Sequence, residues 1–249
     1  MFSPELFLLK REMAAWRRAS QAPRLWLRDD DARVPTTALD RLLRTLDGLP
    51  MALAIVPDGD LRPLAGALNG EASVTISQHG IDHLNSRAPG EPVGEHPIGA
   101  AAPAIAARVR LGLERFDAAG LRPGFYTPPW NRIDDALPQA LADCGYARLS
   151  AWGGWETAQG PLIRIDAHVD VLRWNPAPRF RGRGRVLGDL RRQLEARRRA
   201  GAFAAPIGIL THHLDHDDAT WAFLDWFAGF GGERFDWLSY DDLAEYAQA

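Results

Sequence analysis

His79 and His83 stand four residues apart in the stretch QHGIDH. On a helical turn that spacing puts two side chains on one face, and two imidazoles on one face can clamp a metal ion. Asp29, Asp30 and Asp31 are consecutive. Adjacent carboxylates repel one another and are costly to bury unpaired; a divalent cation would offset that repulsion. Each group also has a plainer reading, the histidines as ordinary loop residues and the aspartates as a solvated turn capping a helix. Together they supply two imidazoles and a carboxylate, a set that leaves an open position for water in hydrolytic zinc sites. A cation held this way lowers the pKa of its water toward about 7. An aspartate outside the coordination sphere could then take the water's proton. The His-Glu-x-x-His metalloprotease arrangement is excluded, because Gly80 occupies the position of the required glutamate.

Chemistry of this kind needs strands that end together. Residues 3–19 read as an amphipathic helix with Leu6, Leu9, Met13 and Trp16 near helical spacing. RLWLRDDDA reads as a strand that ends in the aspartates, TTALDRLLRTLDG as a helix, MALAIVP as a buried strand and GDLRPLAGALNG as a short helix. SVTISQH is the third strand. The Gly- and Pro-rich NSRAPGEPVGEHPIG is a loop. Further on, GFYTPPW, ARLSAW, LIRIDAHVDVLRW and PIGILTHH read as strands between helical stretches. The β-then-α order recurs about seven times, and apolar strands without alternation suggest a parallel sheet covered on both faces. A single-domain, distorted (β/α) barrel of about seven parallel strands over residues 1–249 is expected, with an open doubly wound sheet as the alternative. The candidate residues all follow predicted strands: the aspartates the first, His79 and His83 the third, TPPWN the next and THHLDHD a late one. Parallel barrels build active sites at that rim.

Composition narrows the function. With 29 Lys and Arg against 32 Asp and Glu, the net charge of -3 predicts no broad attraction to nucleic acid or anionic membranes. Cys144 is the sole cysteine, so no intrachain disulfide forms. The first twenty residues lack the long apolar core of a signal peptide, and no apolar run is long enough to span a membrane. A cytoplasmic protein is expected. Trp130, Trp152, Trp155 and Trp174 fall near strand ends, where aromatic faces either stack on sugar rings or simply pack. His96 reads as a surface-loop residue and His168 as structural or exposed. His216, with Asp215 and Asp217, reads as the capping cluster of a helix. The basic segment RFRGRGRVLGDLRRQLEARRRAG reads as a solvated helix face and loop.

In its motifs the chain resembles the polysaccharide deacetylases, the chitooligosaccharide deacetylase-like carbohydrate esterases, over about residues 24–245. RDDDA matches the family's first motif, Thr-Phe-Asp-Asp-Gly, and the resemblance makes Asp30 the catalytic base and Asp31 a metal ligand. HGIDH keeps the spacing of His-Ser/Thr-x-x-His, with Gly80 in place of the hydroxyl residue, and makes His79 and His83 ligands. TPPW stands for Arg-x-Pro-Tyr; Thr127 replaces the arginine that orients the base, and Arg28 or Arg132 could substitute. The Asp-x-x-Asp-Trp motif has no clear counterpart beyond DVLRW, Asp170 to Trp174. GILTHH offers the late Leu-x-His, with His212 as the acid and His213 close behind. The resemblance implies a distorted barrel, one divalent ion, with zinc favoured, and hydrolysis of an N-acetyl group on a saccharide or glycan precursor. Pro129, Trp130, Asn131 and His213 are expected to contact that substrate. A catalytically degenerate saccharide-binding barrel and a non-catalytic interaction protein are the alternatives.

Overall fold

The apolar runs form parallel strands, and the stretches between them form the helices that cover them. The computed structural model describes residues 4–155, 158–232 and 234–246. Its elements are α1 (Pro4–Arg18), β1 (Arg24–Ala32), α2 (Thr37–Thr45), β2 (Met51–Ile55), α3 (Arg62–Ala67), β3 (Val74–His79), α4 (Ala102–Ala118), β4 (Phe125–Thr127), α5 (Leu137–Ala142), β5 (Arg148–Leu149), β6 (Ala158–Gln159), β7 (Leu162–Arg164), β8 (Ala167–Asp170), β9 (Leu172–Arg173), β10 (Arg179–Phe180), α6 (Arg183–Ala200), β11 (Ile207–Thr211), α7 (Asp218–Gly231), β12 (Asp236–Trp237) and α8 (Tyr240–Tyr246).

The main sheet runs β8-β11-β1-β2-β3-β4-β5-β7 with every neighbour parallel; β6 adds to β7 antiparallel and β12 pairs the start of β1. Its two ends meet. β7 pairs with β5, and β8, next in the chain, pairs with β11. Between them the Ile165 amide donates to Leu149 O at 3.1 Å, the Ala167 amide to Ala151 O at 3.0 Å, and the Gly153 amide to Ala167 O at 3.2 Å. One extended segment therefore bridges both edges of the curled sheet. The result is a distorted ring of seven parallel strands, β1 to β5, the β7–β8 segment and β11, as expected; the open doubly wound sheet is not what forms.

The helices seal the outside. Leu9, Met13 and Trp16 of α1 are buried against Val186, Leu187, Leu190 and Leu194 of α6, with Leu6 at the margin. Each such side chain contributes roughly 1.5–3 kcal/mol on burial. The basic segment forms α6, whose outer arginines pair with acids: Arg191 with Glu5 and Arg198 with Glu12 of α1, and Arg199 with Glu195. Asp217 is the residue of the expected capping cluster that caps: its carboxylate accepts the Thr220 amide at 2.7 Å at the start of α7. His168 is structural. It is buried in β8, its Nδ1 accepts the Gly208 amide at 3.0 Å, and its Nε2 lies 3.1 Å from Gly154 O.

One irregularity of the sheet matters most for the site. β1 pairs with β2 as Asp29↔Leu53 and then Ala32↔Ile55, so β1 spends one extra residue at Asp30–Asp31. This is a β-bulge, and bulges re-aim side chains.

Candidate metal centre and cleft

Successive residues of a strand point to opposite faces. Arg28 and Asp30 accordingly share one face of β1, and Asp29 takes the other. Regular alternation would send Asp31 after Asp29, but the bulge and a φ of 75° at Asp31 turn it toward β3. There Asp31 Oδ1 lies 3.1 Å from His79 Nε2 and 3.4 Å from His83 Nε2. The three candidate ligand atoms all lie within 4.8 Å of one another.

These atoms fit a divalent ion. A tetrahedral ion with bonds of about 2.1 Å holds its ligands about 3.4 Å apart. While the facing Nε2 atoms of His79 and His83 carry no proton, buried Asp31 Oδ1 has no hydrogen-bond partner, an uncompensated acceptor of the kind proteins rarely leave. Nδ1 of His79 lies 3.0 Å from Thr127 O; donating there puts the proton on Nδ1 and leaves the Nε2 lone pair free, the usual arrangement of a metal-bound histidine. Burial pushes the Asp31 carboxyl up, but contact with His79 and the fields of His79, His212 and His83 outweigh it and hold the group well below the usual carboxylate range. Burial pushes the His79 imidazole down; Asp30 and Asp31 more than reverse this and raise it. His83 is lowered by burial and by the neighbouring His79. A cation here therefore competes with a proton on His79.

Asp30 is buried beside this cluster and tied to Arg28. Arg28 Nη2 donates to Asp30 Oδ2 at 3.0 Å, and Nε lies 2.9 Å from Oδ1. The same guanidinium donates to Ser150 Oγ at 2.8 Å, Ala151 O at 3.1 Å and Asn131 Oδ1 at 2.6 Å. Thr127, standing where the resemblance calls for arginine, is buried with its hydroxyl 2.7 Å from Ser77 Oγ. The arginine that meets the candidate base thus comes from the base's own strand, two residues before it; Arg132 is exposed.

A cleft of about 450 Å³ opens over these groups, lined by residues that include Asp31, His83, Trp130, Asn131, Asp170 and His212, with Trp152 and Trp174 at its wall. His212 Nε2 lies 3.9 Å from Asp30 Oδ2, and its ring meets Trp174 edge-on at 4.5 Å. Trp174 Nε1 donates to Asp170 Oδ2 at 2.9 Å, so DVLRW does reach the cleft. Burial raises the Asp170 carboxyl despite His212 and the Trp174 hydrogen bond. The Trp130 ring meets His83 at a tilt, with centroids 4.3 Å apart and planes at 52°. Five described non-glycine residues have positive φ, and four of them, Asp31, His83, Trp130 and Asn131, lie here; such strain gathers at functional sites.

Not every expected residue lines the cleft. His213 follows His212 and points the other way. Its amide donates to Asp29 Oδ2 at 2.9 Å and its Nδ1 lies 2.5 Å from Asp29 Oδ1, both residues fully buried. That pair pins the end of β11 to β1 on the face away from the cleft. Pro129 is buried beneath the rim, close to Gly80. Asn131 does line the cleft, although its Oδ1 is engaged by Arg28. Trp155 lies under Arg197 rather than in the cleft.

Sequence reasoning passed over Glu95. It is buried, and its Oε1 accepts the amides of Ile81, Asp82 and His83 at 2.8, 3.0 and 2.9 Å. His96 beside it is buried too, contrary to the surface-loop reading, because the loop folds inward. The readable signal was Gly80: with φ of 63°, a Cβ there would lie 2.5 Å from Glu95 Oε1 and from Pro129 Cγ.

No family model and no curated protein matches the chain. Solved structures do. A Mycobacterium smegmatis protein assigned to the polysaccharide deacetylases aligns with 18% identity and a TM-score of 0.66, covering 92% of this chain and 91% of that one. An allantoinase, Puue, aligns with 12% identity and a TM-score of 0.64 over 91% and 90%. A family 4 acetyl xylan esterase from Clostridium thermocellum, in complex with a cobalt ion, aligns with 15% identity and a TM-score of 0.53 over 88% and 89%. Among the described residues no helix is long and apolar enough to cross a membrane. The chain thus has the fold of the polysaccharide deacetylases, carried by a divergent sequence, with a candidate Asp/His/His metal site at the rim of its distorted barrel.

Proposed function

We propose that the chain is a metal-dependent hydrolase that removes an N-acetyl group from a saccharide or glycan precursor. The observation that carries this reading is the meeting of Asp31, His79 and His83 directly beside a buried, arginine-held Asp30. Those three residues would hold the ion, and zinc suits their oxygen and nitrogen donors, as do other first-row divalent ions. When bound, the ion supplies Lewis acidity toward the amide carbonyl and toward water. Asp30 takes the proton of the attacking water, and Arg28 fixes its carboxylate for that transfer. His212, whose Nε2 lies 3.9 Å from Asp30 Oδ2 at the cleft wall, gives a proton to the nitrogen as the carbon–nitrogen bond breaks, releasing acetate and the free amine. Trp130, Trp152 and Trp174 offer aromatic faces for a sugar ring, and Asn131 lies at the same wall. His213 supports the rim through Asp29 instead of touching substrate.

The test is acetate release from a broad panel of N-acetylated sugars by the purified chain loaded with zinc, cobalt or nickel. Asp30→Asn and His212→Ala should retain metal and lose at least about 100-fold in turnover, the scale of general acid–base catalysis. The likeness to an allantoinase favours a second reading, hydrolysis of a small cyclic amide, so allantoin belongs in the panel. A metal-loaded chain inactive on every substrate would support a saccharide-binding barrel without catalysis.

A further inference from the structure

The loop between β3 and α4 is rich in Gly and Pro, yet it is built. Arg87 Nε donates to His96 O at 3.1 Å and Nη1 to Pro92 O at 3.0 Å, while Nη2 pairs with Asp134. Asn85 Oδ1 accepts the amides of Arg87 at 3.2 Å and Gly94 at 3.1 Å. The Ser86 amide donates to Gly94 O at 2.9 Å. These bonds return the chain to Glu95 beneath the turn from Gly80 to His83. A single carboxylate oxygen then gathers three consecutive amides, the last being that of His83 itself. His83 holds a φ of 56°, a left-handed conformation uncommon outside glycine, though histidine tolerates it better than most residues, and the three amides gathered by Glu95 hold it there. Gly80 is what allows this arrangement, since any side chain there would strike the Glu95 carboxylate. No other side chain accepts a hydrogen bond from the His83 amide among the described residues.

We propose that Glu95 is a positioning residue for the metal centre: its carboxylate locks the Gly80–His83 turn and so aims His83 Nε2 at the ion site. The proposal rests on the metal reading above. It acts through geometry, not charge. Glu95 Oε1 does its work as an acceptor at a fixed place, so a group that keeps the place should serve and one that keeps only the charge should not. The same reasoning explains why the turn carries glycine where the resembled motif has a hydroxyl residue: the acceptor arrives from residue 95, out of the distant loop, and fills that space.

The experiment titrates cobalt(II) into the chelator-stripped full chain and its variants, reading visible absorbance, with circular dichroism and melting of the stripped proteins as the check on folding. Glu95→Asp keeps the charge but withdraws the oxygen by one methylene; its cobalt affinity should fall about tenfold or more, the usual effect of losing an outer-shell partner. Glu95→Gln keeps an oxygen in place without the charge; its affinity should stay within about threefold of the parent, well short of the loss of an outer-shell partner. Parental affinity in Glu95→Asp would overturn the proposal. So would a loss in Glu95→Gln as large as that in Glu95→Asp, which would make Glu95 a source of field and not of position. Should Glu95→Asp not fold, Gly80→Ala displaces the same carboxylate and should show the same fall, with parental affinity again overturning the idea. A parent chain that takes up no cobalt would remove the metal reading together with this proposal; cobalt binding by the parent and Glu95→Asp alike would remove the proposal alone.

Discussion

Replacing Arg28 with methionine isolates the interaction on which the candidate base depends. Arg28 and Asp30 are both buried, with Nε–Oδ1 at 2.9 Å and Nη2–Oδ2 at 3.0 Å. The substitution roughly preserves volume but strands a carboxylate inside the barrel. It also deprives Ser150 Oγ, Ala151 O and Asn131 Oδ1 of a donor. Breaking a buried ion pair from one side costs about 3–5 kcal/mol. With a urea dependence near the upper end of about 1–3 kcal/mol per molar, the unfolding midpoint should fall by about 1–2 M. The double variant Arg28→Met, Asp30→Leu removes both charges and should be more stable than Arg28→Met alone, because no uncompensated charge remains. Urea denaturation of the chelator-stripped parent, the single variants and the double variant measures this directly, and the cycle gives the coupling between the two sites. An Arg28→Met midpoint within about 0.3 M of the parent, equivalent to at most about 1 kcal/mol, would refute the reasoning. So would additive losses in the double variant.

Two further outcomes follow from the same geometry. Gly80→Ser restores the hydroxyl residue of the resembled motif, yet its Cβ would sit 2.5 Å from Glu95 Oε1 and Pro129 Cγ at positive φ; it should lose about 2–4 kcal/mol from overpacking and backbone strain, and an unchanged melting temperature would contradict this. Burial, reinforced by Arg197, lowers the His168 imidazole to about 3, against about 6.5 when unfolded. Below pH 6.5 the unfolded chain thus binds a proton that the folded chain does not. His168 contributes its stability in full above that pH and loses it as pH falls toward 3, at about 1.4 kcal/mol per unit. His168→Asn should flatten the fall in urea midpoint of the metal-free protein between pH 6 and 4 by about one proton's worth; an identical slope would rule His168 out as its source.

What the sequence made legible has a physical pattern. The strands were readable because buried parallel strands are apolar throughout, and Met51–Ile55 and Ile207–Thr211 are buried at every residue. The candidate metal ligands were readable because imidazoles and carboxylates at strand ends are costly without a purpose. The pairing of His213 with Asp29 was within reach of simple alternation, since β1 and β11 are neighbours and both residues lie one step from cleft-side partners. Other features depended on space alone. The bulge that turns Asp31 toward β3 leaves no mark in RDDDA. Arg28 reaches Ser150, 122 positions away, and Glu95 reaches back across a loop with no periodicity to announce it. Ring closure likewise rests on a single segment, Leu162–Asp170, that changes partners midway along its length.

The account turns on a shared ion, and metal content per chain tests it most directly. Elemental analysis of untagged protein, loaded with zinc and freed of excess, should give close to one ion per chain for the parent. Asp31→Ala, His79→Ala and His83→Ala, each folded by circular dichroism, should each retain far less. Equal metal in the parent and all three variants would contradict the site, and with it the hydrolase reading.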